Sequence, residues 1–327
     1  MTSTRAEIVT RRTYNRPKAD GSFETWDETI DRVINHQRWL WERAKTKRWH
    51  TETQKLTKEQ EEELEELRSL FKSRKALPSG RTLWLGGTEV AKRREASMFN
   101  CSFLRIESVH DVVDAYWLLL QGCGVGFEPV TGTLNGFTRP LELEVIRSAK
   151  TSANDKGNPD NVEWFTDGVG EGKGGNQYIK GARWHIRVGD SAEAWAKLPG
   201  KLLANKIPCE KLTLDFSEIR PAGTRLSSYG WISSGDELIA DAMTQIVRIL
   251  NLRNNHLLTR IDIMDILNLL GSTLSSRRSA EICLIPYGDP EWVEFVGVKK
   301  NLAETPWRTQ SNNSLLFYHK PGRRDLG

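Results

Sequence analysis

A cysteine and a glycine-rich turn could bring a reactive thiol next to bare backbone. The chain reads NCSF at residues 100–103 and, after a helical run, GCGVGF at residues 122–127. This order predicts that Cys101 lies at the end of a strand, with the glycine backbone a short helix later. A thiol beside backbone without side chains suits redox chemistry on a bound small molecule. Alone, however, a cysteine in such a setting is more often an inert buried residue.

The glycine run does not form a dinucleotide-binding fingerprint. A Rossmann loop follows a strand and opens a helix, whereas residues 122–127 close a helix and open a strand. Two interpretations remain open: glycines that let a ligand approach backbone N–H groups, or a plain helix C-cap and turn. A second glycine-rich stretch, at residues 167–174, lacks the first glycine and the final Ser or Thr of a phosphate-binding loop. It is interpreted as a flexible loop.

The other candidate residues carry weaker signals. Cys123 and Cys283 are interpreted as inert core residues, and Cys209 as a loop cysteine. Without a C-x-x-C spacing, the four cysteines argue against a disulfide scaffold and against a zinc site, and no metal is expected. The adjacent Arg277 and Arg278 either are solvated or grip a phosphate or a base edge.

Composition limits the class of protein. The 327 residues are 38% hydrophobic and 28% charged, with a mean hydropathy of -0.53, as in soluble globular proteins. The net charge of +4 fits a phosphate-bearing ligand but is too small to argue for nucleic-acid binding. Because the sequence has neither a long apolar run nor the apolar core of a signal peptide, we expect no membrane span and a cytoplasmic location.

Apolar periodicity and capping signals predict alternating helices and strands, which favours an α/β layer or barrel. Helices are expected from Trp26, from Thr57 to about residue 77, and from Ser108 to Gly122, with two more after caps at Ser234 and Thr259. The last of them should end at Gly271. Strands are expected at 212–216, 282–286 and 313–318, and a long mobile loop at 150–181.

Seven stretches together resemble the adenosylcobalamin-dependent (class II) ribonucleotide reductases, in particular the monomeric ribonucleoside-triphosphate reductases. They occur in the family's order, with similar separations. The stretches are ALPSGRTLWLGGT (76–88), NCSFLRI (100–106), GCGVGFEPV (122–130), LTLDFSEIRPAG (212–223), LTRIDIMDILNLLG (258–271), RRSAEICL (277–284) and SNNSLLF (311–317). The resemblance implies an α/β fold in which an N-terminal helical region (1–77) precedes the first half of a ten-stranded α/β barrel (78–319), followed by a tail (320–327).

The resemblance also implies roles for individual residues. Cys101 would be one of two active-site thiols that reduce the ribose 2′-carbon and end as a disulfide. Substrate phosphate and ribose would be held by Ser79, Asn100, Gly122, Gly124 and Gly126. Arg277, Arg278 and Ser279 would lie in the loop that couples effector to substrate choice; this loop is about three residues shorter than in the most similar family members.

What the family keeps beyond the last of these stretches is absent from this sequence, including the Asn-Pro-Cys-x-Glu loop, the second thiol and most cobalamin contacts. We therefore expect one half of a split or interrupted reductase. Its cofactor would be adenosylcobalamin, and its partners a ribonucleotide substrate, a deoxynucleotide effector, a C-terminal reductase half and a thioredoxin-like reductant. The alternatives are a non-catalytic nucleotide-binding module and an inactive truncated fragment.

Overall fold

The computed structural model describes residues 3–45, 55–166, 169–171, 178–204, 209–226, 232–274 and 281–326. The chain forms two compact units, Met1–Asn100 and Cys101–Gly327. Unit 1 is helical in its described part, and unit 2 combines helices with mainly parallel strands, so the predicted α/β class is confirmed. The domain boundaries at residues 77 and 319 stay predictions.

Unit 1 is built from short amphipathic helices around a small apolar core of Ile30, Ile34, Leu64 and Leu83. Its helices are α1 (Thr4–Thr13), α2 (Trp26–Lys45), α3 (Lys58–Lys72), α4 (Gly80–Leu85) and α5 (Glu89–Arg93), followed by a 3-10 turn at Glu95–Met98. The predicted start of α3 at Thr57 is confirmed, because Thr57 is its N-cap and forms a capping box with Gln60. The helix ends at Lys72, earlier than predicted.

Unit 2 combines strands with helices. The strands are β1 (Cys101–Ile106), β2 (Gly124–Pro129), β3 (Glu142–Ile146), β4 (Val162–Thr166), β5 (Val169–Glu171), β6 (Tyr178–Lys180), β7 (Arg183–Arg187), β8 (Lys211–Asp215), β9 (Glu281–Pro286) and β10 (Ser311–Leu316). The helices are α6 (Val109–Leu120), α7 (Ala192–Ala204), α8 (Glu237–Leu252), α9 (Arg260–Ser272), α10 (Trp292–Gly297) and α11 (Arg323–Leu326), with a 3-10 turn at Pro306–Thr309.

The strands of unit 2 form two four-stranded sheets and a hairpin. The first sheet has the order β1-β2-β9-β10, and all its pairs are parallel. The second sheet has the order β3-β8-β7-β4, in which only β4 is antiparallel to its neighbour. Strands β5 and β6 pair with each other. One continuous apolar core joins helices and strands of this unit and includes Tyr116, Phe127, Leu214, Ile246 and Leu267.

Local sequence signals define where α6 and α9, the helices that flank the first sheet, begin, and where α6 ends. Ser108 and Asp111 form the predicted capping box of α6, and Thr259 and Asp262 form that of α9. At the end of α6, Gly122 has a φ of 78°, and the N–H of Cys123 donates to the Leu118 carbonyl. This is a Schellman ending, which needs a left-handed residue where only glycine is unstrained.

Three predictions about the elements are wrong. Helix α8 begins two residues later than expected, with Asp236 rather than Ser234 at its N-cap position. Helix α9 continues through Gly271 to Ser272. The loop predicted over 150–181 contains β4, β5 and β6, because a β-branched and aromatic run at Val162–Thr166 pairs with β7 and outweighs the surrounding glycines and asparagines.

Candidate active site

Cys101 is the first residue of β1 and lies directly opposite Gly124 of β2. It therefore begins a strand, whereas the sequence predicted that it ends one. The thiol is exposed. Cys101 and the glycine run are therefore neighbours in the structure. Because Gly124 has no side chain, the space beside the thiol is open.

Alternation along the first sheet puts Cys101 on a solvent-exposed surface, which we call the open face. One row across this face consists of Phe103, Gly126, Ile282 and Asn312, each paired in register with the next. Phe103 and Ile282 are 57% and 47% exposed, although both are large apolar residues. The open face thus combines a thiol, bare backbone and uncovered apolar side chains.

Gly126 shapes the open face because it has no side chain. A Cβ added there would lie 3.0 Å from Cδ2 of Phe103, so a side chain would displace that ring. Because β2 pairs with β1 on one side and with β9 on the other, the backbone of Gly126 is engaged in the sheet. At this position the sheet therefore offers a flat surface rather than a free N–H group.

The other cysteines are not placed to act with Cys101. Cys123 is buried, and its sulfur lies 3.6 Å from Oγ of Ser102, on the side of the sheet opposite the open face. Burial raises the pKa of Cys209 to about 11. Burial and the nearby Glu281 raise the pKa of Cys283 well above its ordinary value. The interpretation of Cys209 as a loop cysteine understates its burial.

Ser79 and Asn100 belong to unit 1. Ser79 is the N-cap of α4, where its Oγ accepts from the backbone N–H of Thr82 at 3.2 Å and lies 2.9 Å from Oγ1 of Thr82. Asn100 is exposed and directly precedes Cys101 in the chain. Their roles in substrate binding stay predictions. Arg277, Arg278 and Ser279 lie outside the described residues.

Sequence reasoning did not single out Phe103, Ile282 or Glu281 as site residues. Glu281 is 2% exposed and lies on the buried side of β9. Glu281, Cys283 and Ile285 alternate along β9 and share its buried side. This alternation could have indicated that Glu281 is buried if the strand had been predicted to begin one residue earlier. Within the described residues, no helix is long and apolar enough to cross a membrane.

Comparisons with known proteins identify the class of the fold. Residues 2–88 match the sequence model of the ribonucleotide reductase alpha domain. A crystal structure of a B-12 dependent (class II) ribonucleotide reductase superposes with a TM-score of 0.69 at 24% identity, over 94% of this chain and 45% of that chain. The fold of the chain is thus that of part of a class II reductase, which has an α/β barrel.

Two curated relatives indicate which kind of ribonucleotide reductase the chain resembles. The chain is 30% identical to an adenosylcobalamin-dependent ribonucleoside-triphosphate reductase of Lactobacillus gasseri, over 95% of this chain and 45% of that protein. It is 27% identical to an enzyme of the same name from Euglena gracilis, over 95% of this chain and 39% of that protein. The chain spans less than half the length of these relatives. The resemblance drawn from the seven stretches is confirmed.

Proposed function

We propose that the chain supplies one part of a ribonucleotide reductase that converts ribonucleoside triphosphates to 2′-deoxyribonucleotides, with Cys101 as a reducing thiol. The position of Cys101, exposed beside Gly124 on the open face, carries this proposal. The similarity to ribonucleoside-triphosphate reductases over nearly the whole chain supports the substrate class.

The reduction requires two electrons at the ribose 2′-carbon. The C2′–OH bond breaks and a C2′–H bond forms, water leaves, and two thiols are oxidised to one disulfide. Cys101 supplies one of these thiols. The second must come from another segment, because Cys123 points away from the open face, whereas Cys209 and Cys283 are buried. We assign the thiyl radical that starts the reaction to that segment as well.

The exposure of the open face supports the need for a completing segment. Phe103 on the edge strand β1 and Ile282 on the inner strand β9 both expose apolar surface on this face. Exposed apolar side chains grouped on one face mark a candidate interaction surface. We propose that a C-terminal reductase half covers this face and closes the site over Cys101.

The described residues do not by themselves fit adenosylcobalamin. A corrin needs a surface that encloses it, whereas the sheet around Cys101 is open on one side and carries exposed Phe103 and Ile282. We therefore assign most cofactor contacts to the completing half. A deoxynucleotide effector and a thioredoxin-like reductant remain part of the proposal.

The test is reconstitution. The chain is mixed with a polypeptide that supplies the remaining barrel, adenosylcobalamin, a small dithiol and a ribonucleoside triphosphate, and deoxyribonucleotide is measured. Product should form with the wild-type pair and should fall at least about a thousandfold with Cys101→Ser, as when a reacting group is removed. Cys209→Ala, a buried thiol outside the site, is the matched control and should retain activity.

Three outcomes separate the possibilities. Normal reduction by the Cys101→Ser pair would show that the thiol assignment is wrong. Nucleotide binding by the chain without turnover in any mixture would favour the non-catalytic module. Neither binding nor turnover would favour an inactive fragment.

A further inference from the structure

Arg32 of α2 and Glu24 form a largely buried ion pair in unit 1, with each side chain 14% exposed. Nε of Arg32 donates to Oε1 of Glu24 at 2.8 Å and Nη2 donates to Oε2 at 3.0 Å, the two-pronged geometry that suits a guanidinium. Oε2 also accepts from the N–H of Arg16 at 3.1 Å and from the hydroxyl of the buried Thr29 at 2.9 Å. Burial alone would raise the pKa of Glu24, but the hydrogen bonds from Arg32 and Arg16 lower it below its ordinary value. The carboxylate is therefore ionised and holds the guanidinium in one orientation.

The oriented guanidinium binds the C-terminal end of α4. It donates to the backbone carbonyl of Leu83 at 3.0 Å and to that of Gly86, the C-cap residue of this helix. Carbonyl groups in the last turn of a helix have no partner within the helix, and an arginine side chain is one of the groups that can satisfy them. Arg32 therefore ties the end of α4 to the ion pair with Glu24.

Gly86 and Gly87 let the chain turn tightly beside the Arg32 side chain. Gly87 has a φ of 79°, a conformation in which only glycine is unstrained. A Cβ added to Gly87 would lie 2.6 Å from Cγ of Arg32 and 2.7 Å from its backbone oxygen. A Cβ added to Gly86 would lie 2.6 Å from the backbone oxygen of Thr82. The glycine pair in the stretch ALPSGRTLWLGGT is therefore explained by the turn that brings the end of α4 onto Arg32.

Helix α4 is connected to both residues of unit 1 for which the sequence predicted a role in substrate binding. Ser79 is the N-cap of the helix. Arg81, in its first turn, donates to the backbone carbonyls of Phe99 at 2.5 Å and of Ser97 at 3.3 Å. These carbonyls belong to the segment that leads directly into Asn100. A displacement of α4 would therefore move Ser79 and loosen the support of Asn100.

We propose that Arg32 is a positioning residue for substrate binding. Held by Glu24, it fixes the C-terminal end of α4. The helix in turn fixes Ser79 at its start and, through Arg81, the chain that leads into Asn100. The ligand that these residues would hold is the phosphate and ribose of a nucleotide. The role in binding rests on the proposed function, whereas the anchoring of α4 does not.

The first test measures hydrogen–deuterium exchange in the chain alone by NMR. Arg32→Lys keeps the positive charge but loses the planar fork that reaches Glu24 and the end of α4 together. The N–H groups of Leu83 and Gly86 donate to the carbonyls of Ser79 and Thr82 at 3.1 Å and 2.9 Å. Both should exchange roughly tenfold faster in Arg32→Lys, because hydrogen bonds from a charged group no longer hold α4 in place. Glu24→Gln is the milder second variant, and the same two groups should exchange about threefold faster in it.

Two comparisons separate anchoring of α4 from a general loss of stability. The N–H of Glu61 donates to the Thr57 carbonyl at the start of α3, in the same unit, and should keep its wild-type exchange rate in Arg32→Lys and in Glu24→Gln. Arg38→Lys is the matched control, since it changes another arginine of α2, whose ion-pair partner is Glu61. It should leave exchange in α4 unchanged. Wild-type exchange of α4 in both Arg32→Lys and Glu24→Gln, or equal acceleration of α3 and α4 in both, would overturn the anchoring.

The second test uses the reconstituted reductase. Arg32→Lys should raise KM for a ribonucleoside triphosphate by at least about fivefold and change kcat by less than about twofold, because substrate contacts are weakened and the reacting groups are not. A loss of folded protein lowers the apparent kcat instead and leaves KM unchanged. Since Ser79 is already displaced in Arg32→Lys, adding this change to Ser79→Ala should alter KM by no more than about twofold.

The outcomes of the two tests distinguish the two proposals. If the wild-type pair has no activity, the proposed function fails, and the exchange test still decides the anchoring of α4. If activity is present and Arg32→Lys has the wild-type KM, the role in positioning fails. Fully additive effects of Arg32→Lys and Ser79→Ala on KM would also overturn that role.

Discussion

Cys101 differs from the other three cysteines in its exposure to solvent. It is exposed at the start of β1, whereas Cys123, Cys209 and Cys283 are buried. We expect iodoacetamide to modify Cys101 first in the folded chain, because the buried thiols react only after local or global unfolding exposes them. Time-resolved mass spectrometry measures the four rates.

A control in urea checks the assignment. Once the chain is unfolded, the four thiols should react at similar rates. Modification of Cys123 as fast as that of Cys101 under native conditions would contradict the placement of its side chain behind the sheet.

We expect the buried carboxyl group of Glu281 to make the stability of the chain depend on pH. Its pKa in the folded chain is raised well above 4.5, its ordinary value. The stabilising neutral form is fully favoured below that ordinary value, and its contribution is lost as pH rises toward the raised folded pKa. We therefore expect the free energy of unfolding of the wild type to fall with rising pH relative to that of Glu281→Gln, by up to about 1.4 kcal/mol per pH unit in that interval.

Urea unfolding at about pH 5 and about pH 8 measures this difference. Glu294→Gln, which changes an exposed acid in the same unit, is the matched control and should follow the wild type. Parallel pH profiles for wild type and Glu281→Gln would show that Glu281 is ionised or solvated in the folded chain.

At the scale of single residues, the sequence predicted which residues could react but not which neighbours surround them in the sheet. The motif around Cys101 and the glycines was sufficient to bring them together, because both stretches lie close in the chain. That Gly126 is flanked by Phe103 and Ile282 depends on the pairing of β2 with β9. Such non-local pairing leaves no local signal, so the flat surface at Gly126 could not be predicted.

Among the elements, α9 depends on its N-terminal cap. Oγ1 of Thr259 accepts from the N–H of Asp262 at 3.1 Å, and the Asp262 carboxylate accepts from the N–H of Thr259 at 2.8 Å. Thr259→Ala should lower the free energy of unfolding by about 1 kcal/mol, since an N–H donor at the helix start loses its partner. Urea unfolding measures the change. Thr259→Ser keeps the hydroxyl and should lose much less; equal losses would exclude the cap as the cause.

Helices with strong caps were predictable, and elements defined by their neighbours were not. The capping boxes of α3, α6 and α9 give local signals, and the structure has all three. Gly271 was interpreted as a helix end because glycine is a common stop, but it lies inside α9, where an added Cβ would meet Oε1 of Glu281. Strand β4 was missed because its pairing with β7 lies beyond the glycine-rich stretch.

For the whole molecule, the open face should govern solubility. We expect the chain alone to self-associate, because Phe103 and Ile282 present apolar surface on an otherwise ordered sheet. Phe103→Ser together with Ile282→Thr should weaken association by about tenfold, as roughly 1–2 kcal/mol of apolar burial is removed. Sedimentation velocity over a range of concentrations measures this.

The matched control lies on α10. Val293→Thr and Val296→Thr change residues that are 66% and 61% exposed in the same unit but lie on a helix rather than on a strand of the first sheet. They should leave association unchanged. If they weaken it as much as the changes on the open face, another surface holds the copies together.

The fold class was predictable at this scale because seven ordered stretches resemble one family, and helix–strand alternation agrees with that family's architecture. The grouping of the strands into two sheets was not. It depends on which strands become neighbours across long stretches of chain, and periodicity carries no information on that choice.

The order β1-β2-β9-β10 has a consequence for biosynthesis. Strand β2 meets β9 through Val125 and Glu281, so everything between those positions must leave the ribosome before the two strands can join. The second sheet is encoded wholly within that interval and is free to assemble while translation continues. The surface that carries Cys101 is therefore completed late, and the nascent chain holds β1 and β2 as an unfinished pair until then.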